Sequence, residues 1–362
     1  MASSEKNVTY GLKFQARAMV PFQSEGSQSR WLVGTNALRD ENEIQVLEFD
    51  PEKDVLRMAE VHSHPQEVWQ IAPCPSDPGI LMTVHNEEGV HTASLWHMPP
   101  ENGVLEHKAE LKGTSSVRAV AWHPSEPDTA LSVEKAKLLL WRLGGAGAEI
   151  ASKCASGGSE ELSGGAWDPH DANRFCSTEG SSVQIWDVRT GRQSGAISDA
   201  HGMAVRDIDF AKQQDNLVVT AGEDCKVRLW DLRKLEGPAL AELGGHSHWV
   251  WQARLNPQHD SLLLSASSDT LVNLWYLPSH TASEARRAQP AAAMNSPAAK
   301  RAAAAGGAGA KDGKVQSYGD HEDSVYSVAW SLADPWTFAS LSYDGRVAVH
   351  RVPSQVKYKI LI

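Results

Sequence analysis

Tryptophan recurs at a nearly constant interval through the middle of this sequence. Trp96, Trp141, Trp186, Trp230 and Trp275 follow one another after 45, 45, 44 and 45 residues. A period of this length, with tryptophan near the end of a Val- and Leu-rich run, is typical of a β-propeller in which each period forms one blade. The period decides the fold class, although 362 residues would by themselves suggest two or three ordinary domains.

Each period has room for four short strands. In one period, residues 204–210, 217–221 and 226–232 are strand-like runs separated by polar turns, and residues 238–243 form a weaker fourth run. Such units can be counted along the chain from the starts of their inner strands. These lie near Gln15, Glu67, Ser116, Glu161, Ala204, Trp249 and Ser324.

The count predicts an all-β fold, a seven-bladed propeller with four antiparallel strands per blade. We expect a single propeller over residues 10–362 and a flexible N-terminus over residues 1–9. A closed ring leaves no free sheet edge that could template aggregation. Either the N-terminal run 7–14 or the C-terminal run 357–362 must then complete the last blade, and the sequence leaves both open.

One interval is too long. His350 occupies the next tryptophan position, 75 residues after Trp275, which is about 30 more than one period. The extra residues lie within 280–314, a segment rich in Ala, Gly and Pro that cannot offset the entropy of ordering itself. We predict a disordered insertion in blade six, between its third and fourth strands.

Three histidines are each followed by Ser or Thr after 19 residues, by Asp after a further 4 residues, and by Trp or His after a further 6 residues. A Ser–His–Asp set can be a nucleophilic triad, but one that recurs at blade spacing is structural. We predict three buried polar networks in which aspartate orients histidine, and a hydroxyl and an indole N–H complete the set. Their members are His201, Thr220, Asp224 and Trp230; His246, Ser265, Asp269 and Trp275; and His321, Ser340 and Asp344, with His350 in place of tryptophan. Lys135 and Gly180 stand in the aspartate positions of blades three and four, so we expect those blades to depend more on apolar packing.

Other chemistry finds little support. The four cysteines form no CxxC pair, no HExxH motif occurs, and the phosphate-loop-like run 307–314 has Ala308 where glycine is needed. We therefore predict no enzyme activity, no cofactor and no metal site.

With 34 basic and 45 acidic side chains the formal charge is −11, which disfavours nucleic acid as a partner. Neither a signal peptide nor an apolar run of 18 residues is present, so we expect a cytoplasmic protein without membrane insertion.

The chain resembles the WD-repeat proteins over essentially residues 10–362. A narrower resemblance is to the family of EARP- and GARP-complex interacting WD-repeat proteins. It rests on the segments 10–18, 31–35, 246–252, 321–328, 333–346 and 351–362. The resemblance implies a protein-binding scaffold, an adaptor for the complexes that tether vesicles in retrograde transport and endosomal recycling. It also implies a peripheral location at the trans-Golgi network and endosomes.

A second interpretation concerns the two WDxR motifs. Asp187 with Arg189, and Asp231 with Arg233, match the motif of propellers that serve as substrate receptors of cullin-RING ubiquitin ligases. By this resemblance the two arginines would contact the ligase adaptor in protein ubiquitination. The same spacing also suits a plain turn with a surface ion pair, so both alternatives stay open.

Aromatic and polar residues of blades six and seven form the predicted partner-binding rim. Aromatic side chains are enriched at interaction hot spots. The alternative is that Trp251 and Tyr326 pack between blades. The predicted rim consists of His248, Trp249, Trp251, Asp323, Tyr326, Trp336 and Tyr343.

Overall fold

The part of the chain that the computed structural model describes contains twenty-nine strands and a helix at residues 354–361, and residues 278–280 are also helical. That part comprises residues 8–23, 28–38, 41–144, 147–158, 160–280 and 312–361. The strands form seven sheets, and the inner strands of successive sheets contact one another around a ring. The predicted seven-bladed propeller of four antiparallel strands per blade is confirmed.

The first strand of the chain, β1 (Val8–Gly11), belongs to the last blade. Blade one contains β2 (Ala16–Phe22), β3 (Ser29–Thr35), β4 (Asn42–Asp50) and β5 (Val55–His64). Blade two contains β6 (Val68–Pro73), β7 (Ile80–Glu87), β8 (Val90–His97) and β10 (Glu106–Glu110). The two-residue strand β9 (Gly103–Val104) adds in parallel to the outer edge of blade one. Blade three contains β11 (Val117–Trp122), β12 (Thr129–Glu134), β13 (Lys137–Gly144) and β14 (Gly147–Ala155).

The remaining blades repeat the same order of strands from the inside outwards. Blade four contains β15 (Leu162–Trp167), β16 (Arg174–Glu179), β17 (Ser182–Asp187) and β18 (Arg192–Ile197). Blade five contains β19 (Val205–Phe210), β20 (Leu217–Gly222), β21 (Lys226–Asp231) and β22 (Ala241–Gly244). Blade six contains β23 (Val250–Leu255), β24 (Leu262–Ser267), β25 (Val272–Tyr276) and β26 (Gly313–Tyr318). Blade seven contains β27 (Val325–Trp330), β28 (Thr337–Ser342), β29 (Arg346–Arg351) and β1.

Every inner strand begins one residue after its predicted start. The first strand residue is alanine, valine or leucine in all seven blades, and its side chain is buried. The second strands are more buried still, since all six residues of Thr129–Glu134 and of Leu217–Gly222 are buried. A strand covered on both faces needs a continuous run of compact side chains, and this run is what made the blades countable.

The N-terminal strand closes the ring. β1 pairs antiparallel with β29, with Val8 opposite Val349 and Gly11 opposite Arg346. The propeller therefore starts at Val8 and not at residue 10, and residues 1–7 lie outside the described residues. The C-terminal run instead forms helix α1 (Ser354–Leu361) after a proline, and its Val356 is buried.

The predicted insertion separates the third and fourth strands of blade six. β26 begins at Gly313, where it pairs with Tyr276 of β25. The end of the predicted range 280–314 is therefore wrong by two residues, because Gly313 and Lys314 complete the sheet. Residues 281–311 lie outside the described residues, and their disorder stays a prediction.

Apolar clusters fill the spaces between neighbouring blades. The cluster between blades seven and one includes Trp31, Leu47, Ala339 and Val349. Indole N–H groups add hydrogen bonds across the same boundaries, from Trp31 Nε1 to the Ala329 carbonyl at 3.2 Å and, between blades two and three, from a tryptophan of β11 to a carbonyl of β6 at 2.8 Å. Burial of this surface stabilises the ring, and the cross-blade bonds fix the register of its inner strands.

Candidate functional site

The propeller has two rims with different loops. Because neighbouring strands in a blade are antiparallel, successive turns lie at alternate ends of the sheet. We call upper the rim with the loops before each inner strand and between second and third strands. The lower rim has the turns between first and second strands and between third and fourth strands.

Four aromatic rings form a continuous cluster on the upper rim of blades six and seven. Ring centroids are 5.8 Å apart for Trp249 and Trp251, 5.0 Å for Trp251 and Tyr326, and 5.7 Å for Tyr326 and Tyr343. The Trp251 indole donates to Ser268 Oγ at 2.6 Å. Trp251 and Tyr326 contact each other from inner strands of adjacent blades, while Trp249 is 36 % exposed. We call these four residues the aromatic cluster.

Three other residues of the predicted rim have separate positions. His248 is exposed beside Trp249, and its Nδ1 accepts the Trp249 amide at 2.9 Å. Asp323 is also exposed on the upper rim, where it accepts the Ser324 amide. Trp336 was wrongly assigned to this rim, because it lies in the turn between first and second strands and stacks on His259 at 4.6 Å, on the lower rim.

Seven equivalent residues surround the upper mouth of the central channel. Each is the second residue of an inner strand and lines a cavity of about 430 Å³. They are Arg17, Trp69, Arg118, Ser163, Arg206, Trp251 and Tyr326. Sequence reasoning identified only Trp251 and Tyr326. Alignment of the seven inner strands at their first buried residue would have found the other five.

The predicted polar networks of blades five and six are present. In blade six, His246 Nδ1 donates to Asp269 Oδ2 at 2.9 Å, and Ser265 Oγ lies 2.8 Å from both His246 Nε2 and the indole nitrogen of Trp275. Burial alone would raise the pKa of Asp269, but the hydrogen bond from His246 and backbone amides lowers it to about 2. The carboxylate thereby fixes the histidine tautomer that accepts from the serine.

Blade five repeats this geometry. His201 lies 2.8 Å from both Asp224 and Thr220, and the Trp230 indole donates to Thr220 Oγ1 at 2.9 Å. Arg228 adds an ion pair to Asp224 at 2.6 Å. Burial acts to raise the pKa of Asp224, but the hydrogen bonds from His201 and Arg228 hold it well below its usual value. The carboxylates of Asp224 and Asp269 stay charged although they are largely buried, because every hydrogen-bonding position on them has a partner.

Blade seven corrects the prediction. His321 Nε2 lies 2.7 Å from Ser340 Oγ, which also contacts His350 Nε2 at 2.9 Å. Asp344 does not orient His321, because its carboxylate accepts instead from Ser342 and from the Arg346 amide. His321 Nδ1 has no hydrogen-bond partner among the described residues. Burial lowers the pKa of His321 to about 4 and that of His350 to about 3.

Blades three and four also have a buried polar network, which the expectation of greater dependence on apolar packing did not include. In blade three Gly113 stands where blade five has histidine, and the buried Glu134 fills that space. Its carboxylate accepts from Ser115 Oγ at 2.7 Å and pairs with Lys137 at 3.1 Å. A Cβ atom on Gly113 would overlap this carboxylate.

The same exchange occurs in blade four, between Gly158 and Glu179, which accepts from Ser156 Oγ at 3.2 Å. In both blades the glycine and the glutamate are 21 residues apart. The hydroxyl–tryptophan pair is kept, since the indoles of Trp141 and Trp186 each donate to a serine at 2.8 Å.

Blade two has a network that sequence reasoning missed. His64 Nε2 lies 3.1 Å from Thr83 Oγ1, which accepts the Trp96 indole N–H at 2.8 Å. Burial lowers the pKa of His64 to about 4. The interval of 19 residues between His64 and Thr83 is the signal that could have found it, since it equals the interval in blades five to seven.

The two WDxR motifs end third strands of adjacent blades and lie on the lower rim. Arg233 forms two hydrogen bonds of 2.8 Å with Asp231, whereas Arg189 and Asp187 are 3.6 Å apart. The side chain of Arg189 is 70 % exposed and that of Arg233 is 49 % exposed. This geometry fits a turn with a surface ion pair and also leaves both guanidinium groups accessible.

Reactive groups are few within the described ranges. Burial raises the pKa of Cys176 and raises that of Cys154 to about 11, so neither thiol is activated as a nucleophile. In this part of the chain, His, Cys, Asp and Glu side chains form no group of three that could hold a metal ion. None of the helices described is long and apolar enough to cross a membrane.

Four-stranded blades with a histidine–hydroxyl–tryptophan network below the upper rim define a WD-repeat propeller. In agreement, the family model described as WD domain, G-beta repeat matches residues 312–351. The family model of the EIPR1 beta-propeller matches residues 4–275, and the chain belongs to this family.

Relatives of similar length support this membership. The chain is 35 % identical over 382 residues to EARP and GARP complex-interacting protein 1 of Macaca fascicularis, with 98 % of each chain covered. It is also 35 % identical to WD repeat-containing protein DWA2 of Arabidopsis thaliana, with 97 % of this chain and 98 % of the relative covered. EARP-interacting protein 1 of Caenorhabditis elegans is 32 % identical over the same shares of the two chains.

Proposed function

We propose that this protein is a non-catalytic adaptor that binds vesicle-tethering complexes of the EARP and GARP type through its upper rim. It would act in retrograde transport and endosomal recycling, as a peripheral protein on the cytoplasmic side of the trans-Golgi network and endosomes. The names of the relatives support the class of partner, since they are described as interacting with these complexes.

The aromatic cluster is the observation that carries the choice of surface. Trp249 is 36 % exposed, and Trp251, Tyr326 and Tyr343 follow it without a gap. Contiguous aromatic surface on a rigid scaffold is the usual centre of a protein interface, because its burial contributes much of the binding free energy. The polar network of His246 beneath Trp249 holds the strand ends that present it.

The test compares partners captured by affinity-tagged full-length variants in cells. We expect Trp249→Ala with Tyr343→Ala to weaken binding of tethering subunits by roughly thirtyfold, since truncation of a hot-spot aromatic costs about 2 kcal/mol or more. Tyr358→Ala is the matched control, because Tyr358 is an aromatic residue of α1 on the other side, 64 % exposed. Circular dichroism must show that each variant is folded. Retention of the subunits by the double variant would refute the proposed surface.

A second candidate function, recruitment of a cullin-RING ligase adaptor, is favoured by the exposure of Arg189 and Arg233 on one rim. The two rims share no contact residues, so their effects on binding should be separable. We expect Arg189→Ala with Arg233→Ala to abolish capture of a ligase adaptor and to spare the tethering subunits. If this variant loses the tethering subunits instead, the lower rim is the working surface.

A further inference from the structure

Arg17 differs from the two other arginines at the mouth of the channel. Arg118 pairs with Glu161 at 2.7 Å, and Arg206 pairs with Glu223. Within the ranges that the structure describes, the Arg17 guanidinium has neither an ion pair nor a hydrogen bond, and its contacts are with aromatic rings. In this part of the chain Arg17 therefore differs from Arg118 and Arg206 in having no carboxylate partner.

Aromatic side chains from three blades hold this guanidinium. Its Cζ is 4.1 Å from the ring centroid of Tyr326, 4.9 Å from that of Trp69 and 5.7 Å from that of Trp251. Cation–π contacts stabilise the charge and restrict the plane of the group, while its N–H donors point along the edges of that plane. Burial lowers the pKa of Arg17, as expected where water solvates the cation poorly. The group is preorganised for a planar acceptor that brings one negative charge.

We infer that the upper mouth of the channel binds the carboxylate of one acidic side chain, carried on an extended segment of a partner protein, with Arg17 as the residue that receives it. A carboxylate matches the fork of guanidinium N–H groups with two parallel hydrogen bonds. The inference rests on the proposed function to the extent that the partner is a protein. It adds the chemistry that the partner must present next to the aromatic cluster.

Size and charge favour a single carboxylate. The cavity of about 430 Å³ admits a side chain with its neighbouring backbone and is too small for a folded domain. Glu161 and Glu223 pair with the other two arginines, and the same cavity is also lined by Asp209 and by the ion pair of Asp207 with Arg254. A doubly charged phosphate would therefore meet one guanidinium without a carboxylate partner and several carboxylates, which disfavours a second negative charge on the ligand.

Titration of the full-length chain with short peptides tests the inference without any tethering complex. The probe is acetyl-Gly-Ser-Glu-Ser-Gly-amide, compared with its glutamine and phosphoserine counterparts. Binding is followed through the ¹⁵N-indole resonances of Trp69 and Trp251. We expect the glutamate peptide to shift both resonances and the glutamine peptide to bind at least tenfold more weakly.

Substitution at Arg17 provides the second arm. Arg17→Gln should abolish the shifts, and Arg17→Lys should leave weaker binding because it keeps the charge but loses the fork. Arg142→Gln is the matched control, since Arg142 lies exposed on β13, away from the mouth. Circular dichroism and the melting temperature show whether each variant is folded.

Three results would overturn the inference: no shift with the glutamate peptide, equal binding of the glutamate and glutamine peptides, or unchanged binding by folded Arg17→Gln. Tighter binding of the phosphoserine peptide would also overturn it, by assigning the mouth to phosphate. Failure of the proposed function is a distinguishable outcome. A chain that binds the glutamate peptide but captures no tethering subunit in cells would keep the site and lose the proposed partner.

Discussion

Blades five and six differ from blades three and four in what lies beneath the upper rim. Both pairs bury a hydroxyl that accepts an indole N–H at 2.8–2.9 Å. In blades five and six a histidine from the loop before the inner strand fills the adjoining space, opposite Gly222 or Ser267. In blades three and four the loop residue is glycine, and a glutamate from the end of the second strand fills it. The propeller therefore preserves a filled polar space and not a particular residue.

Turn length explains why blades three and four have no aspartate that faces the loop. Three residues join β20 to β21, and the middle one is Asp224. Only two residues, Lys135 and Ala136, join β12 to β13, so no position exists for an aspartate that faces the loop. Blade four has the same short turn, at Gly180 and Ser181. The assignment of Lys135 and Gly180 to aspartate positions was therefore wrong, because their turns lack the residue that Asp224 supplies in blade five.

The largest expected effect is that of acid on the stability of blades two and seven, whose buried histidines have lowered pKa values. Burial lowers the pKa of His64 and His321 to about 4 and of His350 to about 3, below the unfolded value of about 6.5. Between these values the unfolded chain binds more protons, so the stability is complete above pH 6.5 and is lost as the pH falls towards 4. We expect a loss on the order of a few kcal/mol, measured by calorimetric melting from pH 7.5 to pH 4.5.

His321→Gln makes this expectation specific. Glutamine can still contact Ser340 but takes up no proton, so the slope of stability against pH should fall by about one proton between pH 6.5 and pH 4.5. An unchanged slope in this variant would show that His321 is not the group that acid attacks.

The next effect concerns the glutamate-filled blades. A Cβ atom on Gly158 would overlap the Glu179 carboxylate, which would have to move and lose its hydrogen bond from Ser156, so Gly158→Ala should destabilise by about 1–2 kcal/mol. Gly157 is the matched control, because nothing lies within 4 Å of its Cβ position and Gly157→Ala should be nearly neutral. Urea unfolding measures both variants. If Glu179→Gly does not relieve the cost of Gly158→Ala, the two positions are independent and the comparison between blades fails.

A smaller effect separates two turns that look alike in the sequence. Asp224→Ala should cost about 1–2 kcal/mol, because it leaves the buried His201 Nδ1 without an acceptor. Asp344→Ala should cost less, since Asp344 makes no hydrogen bond to His321. Lys135→Ala should cost least, because Lys135 makes only a surface ion pair with Glu161. Equal shifts in melting temperature for the three variants would contradict the networks described here.

The smallest effect lies within the three-residue turn itself. Cys225 has a positive φ of 65°, and the equivalent residue of blade seven is Gly345, with φ of 80°. Glycine adopts this conformation without the steric cost of a side chain, so Cys225→Gly should raise stability or leave it unchanged, within about 1 kcal/mol. Differential scanning calorimetry measures the change in a variant in which only Cys225 is replaced and the turn of blade six is left as it is. A clear loss of stability would show that the cysteine side chain contributes to the turn.

Blade number and inner-strand starts were predictable because each depends on a local pattern. A buried second strand and a recurring tryptophan can be recognised without knowing what they contact. The paired Gly113 and Glu134 could not be predicted in this way. Neither residue is unusual by itself. Their shared role can be recognised only when it is known that the two positions, 21 residues apart, are in contact.

The candidate site was predicted only in part for a related reason. Trp249, Trp251, Tyr326 and Tyr343 were grouped correctly on one rim, because all four lie beside the ends of recognised strands. Trp336 was grouped with them by closeness in the sequence, although one strand separates it from the upper rim. Arg17 was missed since its partners come from blades two, six and seven, which only closure of the ring brings together.

The pairing of β1 with β29 also governs how the chain can be made. More than 330 residues separate Val8–Gly11 from Arg346–Arg351 in the sequence, so β1 has no partner until the strands of blades one to six have been synthesised. Blades one to six can assemble on the nascent chain from neighbouring segments, but the ring closes only once β29 has left the ribosome. Until then, the uncovered apolar face of blade one and the free strand β1 are surfaces that chaperones must shield or that another nascent copy could capture. A stop codon before β29 would therefore release a chain in which strand β1 has no partner strand and apolar surface of blade one stays exposed. Quality control should recognise this chain more readily than one that lacks a surface loop.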